Sequence, residues 1–187
     1  MEVYIIRHTK VAVDKDICYG HFDVPLATTF SNEVIQLANA LPKEFDAVYS
    51  SPSHRCKKLA SALELQNVIF DSSIKEMNFG NWENKKWKDL DQTELNHWMA
   101  DFINVKAPNG ENLIELFERV EIFFDNLRLR QHKKVLIITH AGVIRCIWSY
   151  LLKIPLENIF KIPVGYNELF ICELSKNSSI DMIKRIK

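Results

Sequence analysis

The 187-residue sequence carries no net charge, since 24 basic side chains are matched by 24 acidic ones. Without an excess of either sign there is no bulk attraction to nucleic acid or to an anionic membrane, so any anion selectivity must be local. No apolar run approaches the ~20 residues needed to cross a bilayer. The N-terminus lacks the basic, apolar and small-residue succession of a signal peptide. Cysteines are few and scattered. Cys18, Cys56, Cys146 and Cys172 form no Cys-x-x-Cys pair, which argues against a zinc site or disulfide framework and for reduced structural thiols. Together these absences point to a cytoplasmic protein. Internal repeats, low-complexity tracts and interdomain linkers are also missing, so the chain reads as one domain, long enough to bury a substantial core.

What is present is an alternation of strand-like and helix-like segments. "EVYII" (2–6) is a β-branched and aromatic run suited to a buried strand. A helix is expected over 32–41, stopped near Pro42, then a strand over 46–51. A second helix follows over 53–65 with Ser53 as N-cap, then a strand over 67–70. Residues 71–110 are less regular, with a helix around 87–103. Over 109–130, apolar residues recur at Leu113, Leu116, Phe117, Val120, Phe123, Phe124 and Leu127, one face of a long helix. "KVLIITH" (134–140) is the clearest strand, running into a helix over 141–152, and 169–174 and 181–186 are closing strands. The pattern predicts an α/β fold, a three-layer αβα sandwich with a mostly parallel central sheet.

In such sheets ligands bind beyond the carboxyl ends of the strands. Arg7-His8, Ser50-Ser51 and Thr139-His140 all fall at predicted strand ends, with Arg55 one helical turn further. Forked guanidinium donors suit the oxygens of a phosphoryl group. The free N–H groups at the start of the helix at Ala141 favour anions as well. Four cationic groups on one rim would repel one another unless an anion joined them. His8 adds a neutral imidazole nitrogen able to attack phosphorus, with the surrounding charge stabilising the equatorial oxygens. Glu76 is the candidate proton donor to the leaving alkoxide, set just ahead of an aromatic segment.

Arg7-His8, "YSSPSHR" (49–55), "EMNFGNWE" (76–83) and "THAGVIR" (139–145) resemble, in order, the signature segments of the histidine phosphatase superfamily, also called phosphoglycerate mutase-like. The resemblance spans most of the chain and implies a single domain over 1–187. It implies His8 as nucleophile, Arg7, Arg55 and His140 as phosphate pocket, and Glu76 as general acid and base. Tyr19, Gly20 and His21 are expected at the mouth of that pocket, and Thr9 and Ala141 among its phosphate contacts. "CYGHFDVPLA" (18–27), "EMNFGNWEN" (76–84) and "PNGEN" (108–112) are similar to segments of the alpha-ribazole phosphatase branch, with Asn112 in place of its Ser. That branch implies hydrolysis of alpha-ribazole 5′-phosphate in cobalamin assembly, without metal or cofactor. The family's Arg-His-Gly is here Arg7-His8-Thr9. A threonine tolerates extended backbone, and its hydroxyl would suit a phosphate oxygen.

Three rivals are weaker. A mutase would carry an extra basic segment for a substrate carboxylate, which this compact chain does not show. A phospholigand sensor has no use for Glu76. A histidine metal site is disfavoured by two adjacent arginines and the lack of a His-x-x-x-His spacing. Trp82, Trp87, Trp98 and Phe102 read as core. The expected partner is a small phosphate ester, neither nucleic acid nor membrane, and oligomeric state is not legible.

Overall fold

The computed structural model describes residues 1–184. Six strands form one sheet: β1 (Glu2–Arg7), β2 (Ala47–Ser50), β3 (Val68–Phe70), β4 (Lys134–Thr139), β5 (Leu169–Glu173) and β6 (Met182–Lys184). Their order is β3-β2-β4-β1-β5-β6. The first four in that order run parallel, and β5 and β6 close the sheet antiparallel. Residues 185 and 186 of the expected last strand lie outside the described residues.

Alternation along the strands makes the sandwich. Val3, Ile5, Val135 and Ile137 face one side, where α4 (Leu113–Arg128) and α5 (Ala141–Leu152) supply Leu116, Val120, Phe124, Ile144 and Ile147. Tyr4, Ile6, Leu136 and Ile138 face the other, against Leu37 of α1 (Phe30–Ala40) and Cys56, Leu59 and Ala60 of α2 (His54–Ala62). Burying each such aliphatic side chain is worth roughly 1.5–3 kcal/mol. β1 and β4 are buried on both faces, which is why they read as continuous apolar runs.

Several boundaries differ from expectation for local reasons. The long helix starts at Leu113 rather than 109 because Asn112 and Glu115 form a reciprocal capping box there, and Asn109 is left-handed at φ 58°. The helix expected around 87–103 is α3 (Gln92–Ala100), begun where the Asp91 side chain accepts from the Thr93 and Glu94 N–H groups. Ser53 precedes α2, but its side chain makes no capping bond. Asp23 Oδ1 instead accepts from the His54 N–H at 3.0 Å.

Candidate active site

The sheet order sets β2, β4 and β1 side by side, and Arg7 pairs with Thr139 in register. Residues 8, 51 and 140 therefore leave neighbouring strands at one edge. The His8 N–H donates to the Thr139 carbonyl at 2.9 Å, and the His8 and His140 ring centroids lie 5.2 Å apart. A cleft of about 250 Å³ opens here, lined by Arg7, His8, Tyr19, Glu76, Ala141, Gly142 and Arg145, with an apolar wall including Phe79, Trp87, Leu116 and Phe160. A hollow of about 400 Å³ lies at the other end of β2, among residues 43–48 and 63–67. It holds none of the candidate groups.

His8 is 2% exposed, and its Nδ1 lies 2.7 Å from the Thr9 carbonyl oxygen. A carbonyl only accepts, so the proton sits on Nδ1 and the Nε2 lone pair is free. Burial, then the charges of Arg55 and Arg7, hold the imidazole pKa well below its ordinary value, so it is neutral near pH 7. Arg7 is braced from behind. Its Nη1 donates to the Val164 carbonyl at 2.9 Å, and its guanidinium lies over the Tyr166 ring at 3.8 Å.

Arg55 and His140 form a layer beneath His8 rather than the cleft surface. Arg55 Nη2 donates to Gly20 O at 2.6 Å, Nη1 to Phe22 O at 3.2 Å, and Nε to His140 Nδ1 at 3.3 Å. Since Nδ1 of His140 accepts, its Nε2 carries the proton, 2.7 Å from Ser51 Oγ. His140 too is held neutral, by burial and then by Arg55. Both histidines are thus held neutral, and the carbonyl oxygens of Gly20 and Phe22 accept from Arg55, which eases the repulsion expected among these groups.

Glu76 Oε2 accepts from the Gly142 N–H at the start of α5, and Oε1 from the Met77 N–H, each at 3.1 Å. A Cβ at 142 would stand 2.3 Å from Glu76 Oε1, so any side chain there would displace the carboxylate. The Glu76 segment is fixed by Arg119, which donates to the carbonyls of Ser73, Lys75 and Glu76 and pairs with Glu111. Among the tryptophans Trp87 lines the cleft, while Trp82 and Trp98 are buried beside it in the core.

The remaining candidates divide. Tyr19 lines the cleft, its hydroxyl 3.5 Å from that of Tyr166. Thr9 is fully buried at negative φ, so the absent glycine costs no strain, and its hydroxyl has no partner among the described residues. Gly20 and His21 lie outside the cleft lining, Gly20 packed so that a Cβ would strike Met77 O at 1.8 Å. The Cys56 thiol is pushed up to about 12 by burial, which suits a structural role. One cleft residue, Arg145, and one residue behind the cleft, Tyr166, escaped the sequence reading. Arg145 lies three residues past Gly142, so helical spacing within "THAGVIR" was its signal. Tyr166 lies in an irregular loop ahead of β5, where no periodicity marks it.

Comparison with known proteins bears on the family and the fold. The family model for the histidine phosphatase superfamily (branch 1) matches residues 3–180. An adenosylcobalamin/alpha-ribazole phosphatase of Escherichia coli K12 is 28% identical over 173 residues, covering 88% of this chain and 85% of the relative. A protein described as a probable phosphoglycerate mutase, GpmB, from Escherichia coli O1:K1 is 28% identical over 166 residues, covering 83% of this chain and 76% of its own. The crystal structure of an alpha-ribazole phosphatase from Shigella flexneri superposes with a TM-score of 0.89 at 24% identity, over 98% of this chain and 95% of that one. At that identity the likeness speaks for the fold. With the family model matching nearly the whole length, the chain belongs to the histidine phosphatase superfamily, branch 1.

Proposed function

We propose that the protein hydrolyses phosphate monoesters through a phosphohistidine on His8. His8 Nε2 attacks phosphorus, and the bond from phosphorus to the ester oxygen breaks. The Glu76 carboxyl gives its proton to the departing alkoxide. Water then attacks the phosphohistidine, its proton passes to Glu76, and phosphate leaves. Arg7 in the cleft and the N–H groups opening α5 at Ala141 offer donors to the phosphoryl oxygens, with Arg55, His140 and Thr9 behind them. The observation that carries this reading is the His8 tautomer, a buried neutral imidazole with Nε2 unspent, in the same cleft as a carboxylate.

For the leaving group we propose alpha-ribazole. The reading is supported by the resemblance of residues 18–27 and 76–84 and by the name of one of the 28% identical relatives. An apolar groove of about 690 Å³ shares Phe79, Trp87 and Phe160 with the cleft and continues over Trp98, Met99 and Phe102. It suits an aromatic base. A carboxylated leaving group is the second reading, favoured by Arg145. Its Nε donates to Ile162 O, while its Nη groups have no acceptor among the described residues. Phosphate release from alpha-ribazole 5′-phosphate, O-phosphoserine, 3-phosphoglycerate and p-nitrophenyl phosphate separates them. The first reading requires the highest kcat/KM for alpha-ribazole 5′-phosphate. No phosphate release from any ester would overturn the phosphatase assignment itself.

A further inference from the structure

We infer that Glu83 is a positioning residue for phosphoryl transfer, acting through Arg55. It does not line the cleft. Its carboxylate is taken up by backbone. Oε2 accepts from the N–H groups of Gly20 at 2.8 Å and Phe22 at 2.9 Å, and Oε1 from His21 at 2.8 Å and Phe79 at 3.0 Å. Three successive N–H groups pointing at one anion form a concave nest, here filled by a side chain of the same protein.

The nest matters because of what its other edge does. Residues 20–22 belong to no helix or strand. Turning their N–H groups toward Glu83 fixes the carbonyls of Gly20 and Phe22, which hold the Arg55 guanidinium. Arg55 in turn donates to His140 Nδ1, and its charge helps keep both His8 and His140 neutral. A chain of bonds therefore runs from Glu83 through the loop to Arg55 and His140. The same carboxylate ties Phe79, on the apolar wall of the cleft, to that loop. Asp23 anchors the next residue of the loop to the start of α2, so the loop and the helix bearing Arg55 are joined on both sides.

Glu83→Gln keeps the size but replaces one acceptor oxygen with an NH₂ that faces two N–H donors, so part of the nest is left unsatisfied. This inference rests on the phosphomonoesterase reading, and orthovanadate binding by calorimetry tests it independently of turnover. We expect E83Q to weaken orthovanadate roughly 10-fold or more, since a strained Arg55 misplaces the anion site. Its kcat/KM should fall by a similar factor on alkyl and aryl esters, because no proton donor has been removed. In an Arg55→Lys background, E83Q should add less than about a 3-fold loss, the non-additivity expected when one residue acts through the other. Full additivity would reduce Glu83 to a structural bond, and a selective loss on alkyl esters would make it the acid; either result overturns the inference. If E83Q does not fold, Glu83→Asp, which keeps both oxygens, should show a smaller loss with the same dependence on Arg55. Wild-type protein that binds orthovanadate but turns over no ester would remove the phosphatase reading while leaving the Glu83–Arg55 coupling measurable.

Discussion

At His8 three effects converge on one protonation state: burial, the positive charge of Arg55 and that of Arg7 all oppose the imidazolium. The Thr9 carbonyl then selects which nitrogen is left bare. His8→Ala should abolish turnover while the protein stays folded, and rapid quenching of wild type with a ³²P-labelled ester should trap acid-labile, base-stable label on His8. Label on serine or cysteine would sink the assignment. Glu76 is tested by leaving-group chemistry. An alkoxide needs protonation as it departs, whereas p-nitrophenolate is stable without it. Glu76→Gln should therefore slow an alkyl ester by about 10²–10⁴-fold and the aryl ester much less in the first step. If hydrolysis of the phosphohistidine also slows, the aryl substrate should show a burst followed by slow turnover. Equal slowing of both esters without a burst would mean that Glu76 is structural.

Among the elements, α5 links sheet and acid. Its first turn follows directly from β4 through His140, and its second residue, Gly142, presents a backbone N–H to Glu76. An alanine there would normally favour a helix by roughly 0.5–1 kcal/mol. Here its Cβ would meet the carboxylate at 2.3 Å, so the carboxylate must move. Gly142→Ala should lose activity on alkyl esters as Glu76→Gln does, with little change in thermal midpoint. A variant as active as wild type would show that the contact between Glu76 and α5 is dispensable. The capping box at Asn112 serves a parallel purpose, starting α4 where Glu111 can still reach Arg119 and the Glu76 segment.

For the whole molecule, buried neutral histidines make stability depend on pH. His8, His140 and the half-buried His21 all have pKa values lowered by burial, so below about 6.5 the unfolded chain takes up protons that the folded one refuses. More protons bound in the unfolded state means stability rises with pH, and so it falls as pH drops from 7 toward 5. Each fully buried histidine contributes a slope of up to about 1.4 kcal/mol per pH unit in that window. Carboxylates with depressed pKa values, such as Glu111, add their own loss at lower pH. Urea midpoints at pH 7 and pH 5 measure the effect, and His140→Gln should flatten it. An unchanged midpoint in wild type would mean that these rings are charged in the fold.

Much of this was legible in the chain itself. Apolar runs such as "VYII" and "VLII" fixed the central strands, because a strand buried on both faces must be apolar throughout. The ordered motifs identify the family and single out Arg7, His8, Arg55, Glu76 and His140 as candidates. What those motifs could not supply was depth and direction. Whether a guanidinium faces a cleft or backs a histidine depends on carbonyls from elsewhere in the chain, as Gly20 and Phe22 hold Arg55 across more than 30 residues. The same holds for Arg145, which reaches the cleft, and for Tyr166, which lies against Arg7, only through packing. Local patterning sets secondary structure because its forces act between near neighbours. Tautomers, buried charge and the aim of a donor are set by groups brought together only when the chain folds.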